Sequence, residues 1–148
     1  MTIPRMSMVT LGVNDLARAK AFYTRVFGTP PAGDHEGVAF YTLPGVWIAL
    51  YPRQDLARDI SPALDPALAP ATRTFSDITL AHNARSRDDV LAIFGAAKAA
   101  GASIVTPPHD TFWGGFSGYF ADLDGHYWEV AWGPMFEFSD TGDLRFKV

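Results

Sequence analysis

The chain has no cysteine, which excludes disulfides, thiolate nucleophiles and thiolate metal ligands and fits a cytosolic setting. Positive charge is scarce as well. Twelve Lys and Arg stand against 16 Asp and Glu, for a net charge of −4, and no basic run occurs. A phosphate-neutralising surface needs such a run, so nucleic acid is not an expected partner. No apolar stretch approaches the ~18 residues of a membrane span. The opening Met1-Thr2-Ile3-Pro4-Arg5 has no apolar core of a secretion signal. The expectation is a cytoplasmic protein without a membrane partner. Ser-His-Asp, phosphate-loop and zinc-ligand spacings are also missing. What remains is ordinary for a folded chain. The 148 residues are 48% hydrophobic and 19% charged, enough for one domain with a sizeable core.

The most informative stretch is Tyr119-Phe120-Ala121-Asp122-Leu123-Asp124-Gly125-His126-Tyr127-Trp128-Glu129-Val130-Ala131-Trp132. It reads as two strands joined by an acidic, glycine-bearing turn, with the Glu129 carboxylate set among aromatics. An ionisable group in that setting meets a partner or faces a cavity. A weaker copy occurs earlier, in Leu43-Pro44-Gly45-Val46-Trp47-Ile48-Ala49-Leu50-Tyr51, with Ala49 in place of the acid.

The rest of the chain repeats in the same way. Met6 to Val13 reads as a strand, and Asn14-Asp15 starts a helix carrying Leu16, Ala19, Tyr23, Val26 and Phe27 at helical spacing, with Gly28 as its stop. Val38 to Leu43 and Val46 to Tyr51 follow as strands, with a weaker strand signal between Pro31 and Glu36. Phe75 to Ala81 is the next expected strand. Ser86-Arg87-Asp88-Asp89 then opens a helix with Val90, Ile93, Phe94 and Ala97 on one face, ended by Gly101. Ser103 to Thr106 reads as a strand, Pro107 to Gly115 as a loop, and Ser117 to Trp132 as the closing hairpin. Thr10-Leu11 matches Thr79-Leu80 at an offset of 69, and Gly45 matches Gly125 at an offset of 80. The organisation is one domain of two modules, 6–52 and 74–133. The joining segment, 53–73, is rich in Ala, Pro and Asp and reads as a linker or lid with one irregular turn near Asp55-Leu56-Ala57-Arg58. A generic α+β domain with halves alike by chance is the alternative.

Thr10-Leu11-Gly12-Val13-Asn14-Asp15-Leu16 with Phe22-Tyr23 and Phe27-Gly28, and Gly114-Gly115-Phe116-Ser117-Gly118-Tyr119-Phe120-Ala121-Asp122 with Asp124-Gly125-His126 and Trp128-Glu129-Val130, together resemble the vicinal oxygen chelate superfamily. That superfamily includes glyoxalase I, extradiol dioxygenases and the fosfomycin- and bleomycin-resistance proteins. The resemblance spans about residues 6 to 133. It implies an α+β fold in which two βαβββ modules form a curved, cup-shaped mixed sheet with helices on the convex side. It also implies a homodimer, to which the appended apolar segment Pro134-Met135-Phe136-Glu137-Phe138 offers a surface needing cover.

Enzymes of the superfamily hold a divalent metal with four side chains, which map onto Met8, Ala49, Asp77 and Glu129. Alanine has no donor atom and a thioether is a poor ligand for hard cations. Two carboxylates with water suffice only for weak Mg²⁺ binding, whereas catalytic zinc sites use three protein ligands. The expectation is therefore no metal ligand set and no cofactor. By strand alternation Tyr127, Glu129 and Ala131 share the cup face with Trp47, Ala49 and Tyr51, while Trp128, Val130 and Trp132 face the helices.

Trp47, Tyr51, Trp113 and Tyr127 are the candidate ligand-binding residues, and Glu129 and Asp77 the candidate acids or bases. Packing of Trp47, Tyr51 and Tyr127 against one another as core is the competing reading. His126 reads as structural, and His109 beside Asp110 as a lesser acid–base candidate on a loop. Two functions follow. One is a metal-independent protein, like the bleomycin-resistance branch, that binds a small organic molecule in an aromatic, acidic cup. The other is a glyoxalase-like lyase or isomerase, of lactoylglutathione-lyase type, in which Glu129 or Asp77 moves a proton, with or without a weakly bound divalent metal.

Overall fold

Apolar residues at helical spacing and two glycine stops build the framework. The computed structural model describes residues 6–61, 64, 76 and 78–148. The chain divides into two compact units, Met1–Ser76 and Asp77–Val148.

In the first unit, strand β1 (Met8–Val13) leads into helix α1 (Leu16–Phe27), followed by β2 (Ala39–Tyr41) and β3 (Trp47–Pro52). The Asp15 side chain caps α1 by accepting from the Arg18 N–H, and Gly28 ends it in the left-handed conformation, φ 67°. The sheet order is β1-β3-β2, with β1 parallel and β2 antiparallel to β3. Leu11, Val13, Ile48, Leu50 and Tyr41 are buried together with Phe22 and Tyr23 of α1. The Tyr23 and Phe27 rings stack at 5.1 Å. Burial of the Tyr41 hydroxyl is made tolerable by its bond to the Lys20 carbonyl, 3.0 Å, and its contact with Thr24 Oγ1, 3.1 Å.

This module has three strands where the βαβββ plan has four. The place of the weak strand between Pro31 and Glu36 is taken by an irregular segment, tied to β2 by one bond from the Ala32 N–H to the Phe40 carbonyl, 2.7 Å. Pro30 and Pro31 have no N–H to give a ladder, and Gly33 and Gly37 stand at positive φ, which breaks extended backbone.

The expected linker begins with a helix instead. Residues Arg53–Ile60 form α2 directly after β3. Pro52 presets the entry, Asp55 sits in the first turn and Arg58 in the last, in keeping with the helix dipole. A Cβ on Gly12 would lie 3.3 Å from the Arg53 Cα, so α2 starts against the face of β1 opposite the buried Leu11 and Val13. Of the remaining linker, residues 62–63 and 65–73 lie outside the described residues.

In the second unit, β4 (Leu80–Asn83) precedes helix α3 (Arg87–Ala99), then β5 (Ser103–Asp110), β6 (Phe116–Ala121) and β7 (Tyr127–Trp132). The sheet order is β4-β7-β6-β5, with β4 parallel to β7. Ser86 caps α3 through the Asp89 N–H. Phe94 of α3 meets Phe120 edge-on at 5.9 Å, and Phe120 stacks on Trp128 at 6.3 Å. With Val90, Ala97 and Val130, all buried, they form the helix–sheet core.

Two sequence expectations change here. The strand expected at Phe75–Ala81 runs from Leu80 to Asn83; Phe75 itself lies outside the described residues. The stretch expected to be a loop from Pro107 is strand through Asp110. Prolines fit because β5 is the sheet edge and the pairing with β6 shifts register between Ile104 and Thr106 and again between Thr106 and His109.

The C-terminal apolar segment forms a hairpin of its own, β8 (Phe136–Phe138) with β9 (Leu144–Phe146). The Phe136 and Phe146 rings lie 5.3 Å apart. At its turn, the Ser139 and Thr141 hydroxyls donate to the Asp143 carboxylate at 3.0 and 2.6 Å.

Candidate functional site

The parallel pairing of β4 with β7 sets Ala81 beside Glu129 and Asn83 beside Ala131. Residues two apart on a strand share a face, so Glu129 and Ala131 lie on one side of β7 while Trp128 and Val130 enter the α3 core on the other. Across the antiparallel ladder, Tyr119 of β6 stands opposite Glu129, and its phenol donates a hydrogen bond to the carboxylate. Burial first, then the Glu129 charge and the hydrogen bond, push the Tyr119 phenol above its ordinary 10.0.

A raised pKa means that the folded protein keeps a proton the unfolded chain releases. The stabilisation is full below pH 10.0 and is lost as pH climbs through the folded value. A tyrosinate absorbance titration should show late steps from Tyr119 and from Tyr41, whose phenol burial also raises. Glu129→Gln should move the Tyr119 step back toward the ordinary value and leave Tyr41 alone. A titration unaltered by that substitution would show that the two side chains do not interact.

Above this floor is an open pocket of about 240 Å³ lined by Asn83, Trp113, Glu129, Ala131, Phe136 and Leu144. Trp113 comes from the turn between β5 and β6, and Phe136 and Leu144 come from the C-terminal hairpin. The glycines around Trp113 do something more specific than freeing its backbone. A Cβ on Gly115 would collide with the Trp113 indole itself, and one on Gly133 would come within 2.9 Å of it and 2.5 Å of Met135 Sδ. Two side-chain-free positions thus leave room for the ring. Thr111 steadies the turn, its hydroxyl accepting from the Gly115 N–H at 3.0 Å.

Of the residues singled out in the sequence, Glu129 and Trp113 come together in this pocket. Tyr127 is half-buried at the start of β7 and is not among the lining residues. Trp47, 44% exposed, and the half-buried Tyr51 belong to β3 of the first unit. Asp77 lies outside the described residues. His109 is an exposed residue of β5 opposite Ser117, with Nδ1 3.0 Å from the Pro107 carbonyl. His126 is structural: the buried Asp122 carboxylate contacts its Nδ1 at 2.7 Å and accepts from the Asp124 and His126 N–H groups, closing the β6–β7 turn.

Asn83, Ala131, Phe136 and Leu144 were missed as pocket residues. Strand alternation puts Ala131 on the Glu129 side of β7. Asn83 was hidden because β4 starts later than expected, and the hairpin residues were hidden because they follow the repeat.

The ladders also correct the internal register. Val9 pairs with Ile48 and Leu80 with Trp128. Since 128 − 48 = 80, Val9 corresponds to Leu80 at an offset of 71 rather than 69. The helix caps agree, Asp15 against Ser86. Parity is unchanged, but by pairing Met8 corresponds to Thr79 rather than Asp77.

Of the four mapped positions, the three described ones offer a metal little. Ala49 offers no donor and is 1% exposed, Met8 offers only a thioether, and Glu129 is engaged by Tyr119. Among the described residues no three His, Cys, Asp or Glu side chains gather to hold a metal. Among those residues, too, no helix is long and apolar enough to cross a membrane.

The fold has close relatives. Residues 5–130 match the model of the Glyoxalase/Bleomycin resistance protein/Dioxygenase superfamily. A glyoxalase-related enzyme from Fulvimarina pelagi superposes with a TM-score of 0.84 at 31% identity, over 98% of this chain and 99% of that one. A glyoxalase/bleomycin resistance protein/dioxygenase from Nocardioides gives 0.70 at 26% identity, over 90% and 85%. The genomically encoded fosfomycin resistance protein of Listeria monocytogenes gives 0.66 at 23%, over 90% and 97%, a likeness of fold. The chain is a mixed α+β protein and belongs to the Glyoxalase/Bleomycin resistance protein/Dioxygenase superfamily.

Proposed function

We propose that the protein binds a small organic molecule in the Glu129 pocket without a catalytic metal. The observation that carries this reading is one carboxylate and one carboxamide set among Trp113, Phe136 and Leu144. A mostly apolar pocket with few polar groups is the common form of a ligand site. Its 240 Å³ lies below the roughly 300–1,000 Å³ of sites for drug-sized ligands, so the ligand is on the scale of one substituted ring. Aromatic faces beside a carboxylate favour an apolar body bearing a cationic or hydrogen-bond-donating group. Benzylammonium is a suitable probe. It should quench tryptophan fluorescence saturably and bind more tightly than toluene or benzoate. Equal affinity for all three would sink the reading, as would a stoichiometric transition metal in the purified protein that is lost on Glu129→Gln.

The Tyr119–Glu129 bond supports a second reading. A phenol hydrogen-bonded to a carboxylate is a ready pair for proton transfer, so a glyoxalase-like lyase or isomerase using Glu129 or Asp77 as acid or base, with or without a weakly bound divalent metal, is the alternative. The name of the Fulvimarina pelagi relative, a glyoxalase-related enzyme, points the same way. Turnover of the hemithioacetal of methylglyoxal and glutathione, abolished by Glu129→Gln, would establish it over simple binding. The same proposal places the protein in the cytoplasm and makes it a homodimer. Exposed Phe146, at 73%, and Leu144, at 47%, give the dimer an apolar surface to cover, and a monomeric mass by light scattering would remove it.

A further inference from the structure

The family match ends at residue 130, and the hairpin of β8 and β9 lies beyond it. Yet Phe136 and Leu144, two of the six described lining residues, come from that hairpin. Glu129, Ala131 and Asn83, by contrast, come from the repeated β4 and β7. The polar floor and the hairpin part of the apolar lining therefore come from different parts of the chain.

The hairpin is anchored rather than trailing. The Phe136 N–H donates to the Gly133 carbonyl at 3.2 Å, and the Lys147 N–H donates to the Met135 carbonyl at 2.8 Å. The Arg85 guanidinium, from the turn before α3, lies 4.6 Å from the centre of the Phe138 ring. At the far end, the Asp143 N–H donates to Ser139 Oγ at 2.9 Å and Gly142 takes φ 87°. These bonds brace the two strands against each other, and the Arg85 contact ties the hairpin to the rest of the unit. A fixed wall can discriminate by size, because a ligand group that clashes with it has no cheap accommodation.

We propose that the β8–β9 hairpin is the specificity wall of the Glu129 pocket: Leu144 and Phe136 set the bulk of the apolar body a ligand carries, while Glu129 holds its cationic or donor end. This rests on the binding reading above and deepens it. Leu144 faces its hairpin partner Phe138 and is 47% exposed. Trimming it therefore changes the wall with little effect on folding.

The test compares two probes, benzylammonium and the bulkier para-tert-butylbenzylammonium, on the full chain. The wild-type protein should prefer the smaller. Leu144→Ala should shift the affinity ratio toward the bulky probe by at least about tenfold, the scale on which pockets discriminate added methyl groups. Leu144→Trp should shift it the other way. Glu129→Gln should weaken both probes and leave their ratio unchanged. If Glu129→Gln weakens binding but neither Leu144 variant moves the ratio, the hairpin is not the specificity wall and the pocket reading stands. If neither probe binds the wild-type protein, the pocket reading falls and this inference falls with it.

Discussion

Phe120→Ala should destabilise the protein by about 3–5 kcal/mol, the usual loss for emptying a buried phenylalanine site. The ring is 1% exposed. It sits at the junction of sheet and helix, edge-on to Phe94 and stacked on Trp128, and its backbone is held between Ile104 of β5 and Trp128 of β7. Neighbours can collapse into such a gap only by pulling α3 and β7 together, and both carry other fixed contacts. Typical domains are stable by only ~5–15 kcal/mol, so the loss should be plain in urea denaturation. Leu91→Ala, on the same helix but 52% exposed, is the control and should stay within about 0.5 kcal/mol. A Phe120→Ala loss below about 1 kcal/mol would mean that the second unit's core lies elsewhere.

That core was legible because it rests on signals that local chemistry enforces. Caps at Asp15 and Ser86, stops at Gly28 and Gly101, and apolar positions at helical spacing define α1 and α3, while alternation assigned Trp128 and Val130 to the helix side. Each of these depends on residues near in sequence. The misread elements depend on something farther away. Pro107 and Pro108 look like loop residues until β5 is known to be an edge with two register shifts, since only pairing shows that their missing N–H groups are not needed. The α2 segment is eight residues without a side-chain cap, set beside a stretch rich in Ala and Pro, so its helical composition was diluted in a wider window.

The site divides in the same way. Glu129 stood out because a charge between aromatics demands an explanation, and Trp113 because two glycines follow it. Phe136 and Leu144 gave no such signal, because an apolar residue beyond the repeat reads equally well as core, interface or pocket wall. Identical Thr-Leu pairs lie 69 residues apart, whereas the pairing of Val9 and Leu80 with their neighbours places the modules at 71. Chemical identity and ladder position need not coincide.

Glu129→Gln carries the largest functional effect. The substitution keeps the shape of the side chain and an oxygen able to accept from the Tyr119 phenol, so the β6–β7 ladder around Tyr119 and Glu129 should remain intact. It removes the charge. A hydrogen bond to a charged group contributes about 1.5–3 kcal/mol, so benzylammonium affinity should drop by roughly 10- to 150-fold. Toluene, which has no donor, should bind the variant about as well as the wild type, because the walls formed by Trp113, Phe136 and Leu144 are untouched. That contrast separates the two ways the substitution can act. Equal weakening of both probes would mean that Glu129 shapes the pocket through Tyr119 rather than by meeting the ligand. Unchanged ammonium binding would leave Glu129 a structural partner of Tyr119 and remove the polar anchor from the site.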